Sequence, residues 1–213
     1  SAYVFGPTPV ADAIDRVRAL QLEAGDSMAL QAGAATTLGR LLAMQGDFEQ
    51  ARDLYASGQD FYQSAGMAVS AAGITLHGAW IEHHAGDPTA TEEYLRQGAD
   101  ELQVLGSWAF FSTVAVRLAQ LLYEQSRFEE ARDMSAVARE ASPPDDLINF
   151  VFADAIDGCL LSHDGRHEEA AALLRRAVEG VETTDFFFAR FFLMQLCGAR
   201  SIAIHRVPIF TSM

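Results

Sequence analysis

Residues Gly46–Leu54 read GDFEQARDL, and nearly the same phrase returns as SRFEEARDM at Ser126–Met134 and as GRHEEAAAL at Gly165–Leu173. Anchoring on the turn residue that opens each phrase, and adding Gly86 of AGDPTATEEYL, gives four positions spaced 40, 40 and 39 residues apart. Self-similarity at a fixed period of this length is the signature of stacked supersecondary units.

Residue size tests the register. Seven positions before the anchors stand Gly39, Ala79, Ala119 and Gly158; five after stand Ala51, Thr91, Ala131 and Ala170; twelve after stand Gly58, Gly98, Ala138 and Ala177. All are small, while neighbouring columns vary freely. Paired antiparallel helices approach to about 8–10 Å, and their tightest contacts admit only Gly, Ala or a small hydroxyl residue. Larger groups fill the remaining columns: Phe48, Pro88, Phe128 and His167 two after the anchor, Tyr55, Leu95, Ser135 and Leu174 nine after it.

The period predicts ten antiparallel helices, at 9–24, 27–45, 48–65, 68–85, 89–105, 107–125, 128–141, 145–163, 167–183 and 186–203. Gly25, Gly66 and Gly106 fall between helices, where a left-handed residue ends a helix. Asp26, Ser107 and Asp185 are placed to cap the helix that follows. SPPDD at 142–146 stops one helix and starts another. The expected fold is all-α, a helical-hairpin superhelix of the α-solenoid class with an inner and an outer face. It reads as one repeat domain over 1–213: a partial first unit at 8–45, repeats at 27–66, 67–106, 107–144 and 145–184, and a terminal helix and tail at 185–213. The opening SAYVFGPTP reads as a cut into a longer protein.

Composition agrees. Half of the residues are hydrophobic, which excludes a disordered chain. Prolines stand only at 7, 9, 88, 143, 144 and 208, and alternating β-branched runs are absent. The net charge is −14, with no cluster of cations, so direct nucleic-acid binding is not expected. No apolar run reaches the ~20 residues of a membrane span, and no secretory signal opens the chain. Cys159 and Cys197 lie in apolar contexts outside any metal-ligand spacing, as reduced thiols of a cytoplasmic protein would.

LGRLLAMQGDFEQARDLYASG (Leu38–Gly58) resembles the tetratricopeptide repeat, a helix–turn–helix unit with small, aromatic and Ala positions in this order. Pro88 and His167 stand where that pattern has an aromatic, and the unit here is longer than usual. A wider resemblance runs through GPTPVADAIDRVRALQLEAGD (Gly6–Asp26), LLAMQGDFEQAR, LGSWAFFSTVAVRLAQLLYEQSRFEEA and CLLSHDGRHEEA. These phrases look like the C-terminal helical arm of bacterial signalling proteins. Such proteins join a cyclase-type or DNA-binding module to an AAA- or STAND-type ATPase, followed by tetratricopeptide repeats. The resemblance implies a regulatory arm whose partners are proteins or peptides, including neighbouring domains of its own chain. No GxxxxGK[ST] loop occurs, and none of the family's catalytic residues has a counterpart here.

In tetratricopeptide proteins the first helix of each hairpin lines the inner groove. The resemblance therefore selects Arg40, Trp80, His83, Gln120, Tyr123 and Phe152 as a partner or ligand groove. Flat aromatics beside hydrogen-bonding groups are the make-up of an interface hot spot. Against this stands plain packing of Trp80 and Tyr123 on the next repeat, with Arg40 solvated or paired to an acid. A rival functional reading is an effector sensor holding a small molecule or peptide there.

Other chemistry is weaker. His83 and His84 point to different sides of a helix end, and a turn separates His163 from His167, so no metal is expected. The Glu pairs at 92–93, 129–130 and 168–169 recur at second-helix starts, where negative charge complements the helix dipole. Ser107 and Ser112 lack a His–Asp set. No enzyme activity and no cofactor are expected. DFFFARFFLMQL (Asp185–Leu196) is apolar nearly all round, and Phe187, Phe188, Phe191 and Phe192 mark a candidate self-association surface.

Overall fold

The computed structural model describes residues 8–184 and Leu196. Ten α-helices follow in order: α1 (Val10–Glu23), α2 (Met28–Met44), α3 (Phe48–Ser64), α4 (Ala68–Gly73), α5 (Thr75–Ala85), α6 (Pro88–Val104), α7 (Trp108–Glu124), α8 (Phe128–Ala141), α9 (Leu147–His163) and α10 (His167–Glu182). Among the described residues there is no strand. The all-α helical-hairpin class read from the period is the class observed, and most expected boundaries are met within two residues.

The helix expected over 68–85 is two helices. Ile74 is a turn residue between α4 and α5. The Thr75 hydroxyl donates to the Ala72 carbonyl at 2.7 Å, a local bond that competes with the helical ladder. Gly73 and Gly78, weak helix formers, flank the break. Apart from Leu196, the helix expected at 186–203, with its Phe187, Phe188, Phe191 and Phe192, lies outside the described residues.

The chain divides into two compact units, Ser1–Val114 and Ala115–Met213, with α7 spanning the division. In the first unit α2 packs on α3 and α5 packs on α6, with α1 against α2 and α5 against both helices of the preceding hairpin. Ile14, Val17, Leu38, Leu41, Leu42, Tyr55 and Ile81 form its core. In the second unit α9 packs on α10 and on α8. Leu118, Leu122, Ile156 and Leu160 are fully buried there.

The small columns are where helices touch. All twelve positions are buried. A Cβ at Gly58 would stand 2.3 Å from Thr36 Cγ2, one at Gly98 2.0 Å from Thr75 Oγ1, and one at Gly39 2.9 Å from the Ala51 carbonyl oxygen. No side chain fits at such distances. The column nine after the anchor is buried too, and its one polar member, Ser135, donates to Asp157 at 2.7 Å.

Turn chemistry follows the same period. The anchors Gly46, Gly86 and Gly165 have left-handed backbone, and the fourth, Ser126, adopts it as a non-glycine residue with φ 67°. Asp47, Asp87 and Asp146 cap the next helix by accepting from the backbone N–H three residues on. Asp26 does not cap: Ser27 is the residue before α2, and its side chain makes no capping bond. Pro88 is the first residue of α6, where a missing N–H costs nothing.

Candidate functional site

The first unit brings Arg40 of α2 against Trp80 of α5. The Arg40 guanidinium carbon lies 4.8 Å from the Trp80 ring centroid, a cation–π contact. Both side chains are buried, at 5% and 8% exposure, so Arg40 is not a solvated residue. The Trp80 ring also lies over His84, with centroids 4.6 Å apart, and His84 Nδ1 donates to the Trp80 carbonyl at 2.9 Å. His83, half-buried, meets His84 edge to face at 5.9 Å. Both imidazoles occupy the last turn of α5, the negative end of its dipole.

One turn before Trp80 stands His77. Desolvation holds its imidazole well below the ordinary range, the Arg40 charge adds to this, and the Thr36 backbone opposes it. Its Nδ1 is buried and has no hydrogen-bond partner among the described residues. A neutral histidine beside a buried cation is the expected outcome of that environment.

The second unit holds Gln120, Tyr123 and Phe152, all buried. Gln120 donates to Glu124 at 2.7 Å. On the same helix, burial pulls the Arg117 guanidinium down to about 10, with Glu124 opposing the shift. The Tyr123 ring meets Phe128 at 5.7 Å, and Phe128 lies on His163 at 3.9 Å. His163 thus takes part in an aromatic stack.

Of the six side chains selected for the groove, only His83 reaches the surface appreciably. The others act within the packing of their own unit, because a large aromatic on a first helix meets its neighbouring helices before it meets solvent.

The sequence reading missed two ion networks. In the first unit, Arg52 of α3 binds the buried Glu82 of α5 through two bonds of 2.8 and 2.6 Å. In the second, the buried Asp154 of α9 accepts from Arg139 of α8 at 2.8 Å and from Arg176 of α10, and Arg139 also donates to Asp157 at 2.7 Å. Carboxylates at Glu82 and Asp154 inside otherwise apolar first helices were the available signal: a buried acid needs a cation from another helix. A groove of about 590 Å³ opens beside the second network, lined by Leu147, Phe150, Val151 and Gly180.

The family comparison falls on the same hairpins. Residues 32–57, the α2–α3 pair, and 160–176, at the α9–α10 turn, match the tetratricopeptide repeat. Both units carry tetratricopeptide-like sequence. The comparison with curated proteins gives no match. Among the described residues, no helix is long and apolar enough to cross a membrane.

Proposed function

We propose that this chain is a non-catalytic interaction module that binds a protein or peptide along its first helices, within a bacterial signalling or transcription regulator. The tetratricopeptide match supports the coarser part, since repeats of that type generally mediate protein–protein contacts. The resemblance to helical arms of cyclase- and ATPase-coupled regulators supports the finer part, including a cytoplasmic location. The observation that carries the site is the pair His83 and His84 at one helix end: the buried Arg40–Trp80 contact beneath His84 holds it in place, and His83 stands at its edge. Gln120, Tyr123 and Phe152 occupy the corresponding first-helix positions of the second unit, where they are buried.

Panning a random peptide library on the chain tests this reading. The expected result is an enriched peptide family whose affinity falls at least tenfold on His83→Ala, with the circular dichroism unchanged. Peptides whose binding ignores both His83→Ala and His84→Ala would overturn the assigned surface. Saturable thermal stabilisation by a metabolite, lost on His83→Ala, with no enriched peptide, would favour an effector sensor instead.

A further inference from the structure

The two ends of the hairpins in the first unit differ in character. At the end holding the Gly46 and Gly86 turns, the chain reads QGDF and AGDP, and Asp47 and Asp87 turn back to cap helices. At the opposite end, the turns at Gly25, Gly66 and Gly106 are bordered by exposed apolar side chains. Val104 is 87% exposed, Phe110 55% and Trp108 50%, and Leu105, Met67 and Val69 are exposed with them. Hairpin turns have no folding reason to present six large apolar groups to water.

These residues surround a formed groove. A cleft of about 540 Å³ runs between the end of α3, the start of α4 and the end of α6, with Ala68 and Ala71 against Val104 and Leu105. Small side chains on α4 leave the space. On α4's other flank, the Phe110 ring lies 3.5 Å from where a Cβ on Gly73 would be, so Phe110 extends the apolar surface past the cleft. The short α4, separated from α5 at Ile74, is the wall these features share.

The rim is acidic. Asp100 and Glu101 line the cleft. No Lys or Arg occurs between Arg52 and Arg96, or between Arg96 and Arg117, so none lies on the turns that form the cleft. Arg96 itself is engaged with Glu92 at 2.7 Å.

We infer that this cleft is a docking site for an amphipathic helix of another protein, one with apolar anchors along one face and Lys or Arg beside them. Apolar anchors would enter between α4 and α6, and the flanking cations would meet Asp100 and Glu101. The same acids disfavour a second copy of this chain, which would bring a net charge of −14 to an acidic rim, and disfavour an anionic lipid surface. This surface shares no residue with the one at His83 and His84 and does not depend on it.

The probe is a fluorescein-labelled 14-residue Leu/Lys peptide with an amphipathic helical pattern, read by anisotropy, with the same peptide carrying Glu for Lys as its control. The inference expects saturable binding of the Lys peptide and none of the Glu peptide. It further expects at least tenfold weakening by Val104→Ser with Phe110→Ser, and a shallower salt dependence in Asp100→Asn with Glu101→Gln. All four positions are on the surface or the rim, and circular dichroism confirms that the fold is kept. Lys-peptide binding unchanged by both double variants would overturn the site. So would Val104-dependent dimerisation in sedimentation, which assigns the cleft to a second copy, or Val104-dependent pelleting with phosphatidylglycerol vesicles, which assigns it to lipid.

Discussion

Arg52 on α3 holds Glu82 on α5 in a two-pronged grip, Nε to Oε1 at 2.8 Å and Nη2 to Oε2 at 2.6 Å. The bond joins the second helix of one hairpin to the first helix of the next. Glu82 is nearly buried while Arg52 is half exposed. The pair therefore orients the two hairpins more than it stabilises them, since exposure on the Arg side weakens the attraction.

Removing only the cation is the damaging change, because it strands a buried carboxylate. Arg52→Ala is expected to cost about 2 kcal/mol in urea unfolding. Arg52→Met combined with Glu82→Leu should recover most of that loss. A double variant as unstable as the single one would show that the carboxylate is not the source of the cost.

The space around two glycines, Gly98 of a small column and Gly33 outside the columns, predicts opposite outcomes for one chemical change. Gly98→Ala would place a Cβ 2.0 Å from Thr75 Oγ1 and is expected to cost about 1–3 kcal/mol. Gly33→Ala meets only the Tyr62 hydroxyl at 3.6 Å and is expected to gain about 0.5–1 kcal/mol from helix propensity. Adding Thr75→Ala to Gly98→Ala should restore part of the loss. Thermal melts of the three variants check all three statements.

Ser126 holds the left-handed turn position that glycine fills at Gly46, Gly86 and Gly165. A side chain there costs about 1 kcal/mol. Ser126→Gly should raise the unfolding free energy by about that amount, and Gly46→Ala should lower it by a similar one. Chemical denaturation of both variants reads the sign directly.

His77 gives the stability a pH dependence of known sign. Its imidazole is held well below 6.5 in the folded chain, so below that pH the unfolded chain takes up a proton that the folded chain refuses. Stability from this group is complete above about pH 6.5 and falls as pH drops, by at most about 1.4 kcal/mol per unit. His77→Leu should flatten the profile between about pH 6.5 and 5. A variant whose stability falls as steeply as the parent's over that range would assign the dependence elsewhere.

The hairpins were legible because their signal repeats: a Gly or Ala column tests itself four times, and each copy proved buried. The division at Ile74 was not legible, because Thr75 hydroxyl bonding to Ala72 is a single local event inside an apolar run. The groove side chains sit on the helices that the resemblance indicated, and Trp80, Tyr123 and Phe152 are buried there, as the packing alternative for Trp80 and Tyr123 expects; a repeat pattern says which helix carries a residue and not what covers it. The ion networks escaped for a related reason. Arg52, Arg139 and Arg176 stand on exposed-looking second helices, and nothing local says that Glu82 and Asp154 wait on a neighbouring first helix.

The column pattern also bears on how quickly the chain reaches its native state. Gly58 closes on Thr36, Gly98 on Thr75 and Gly158 on Leu174, so each tight approach joins residues near in sequence. Folding that needs only such local closures loses little chain entropy before it gains contacts. Single hairpins are thus expected to act as nuclei, with acquisition of helix signal in microseconds to milliseconds rather than seconds.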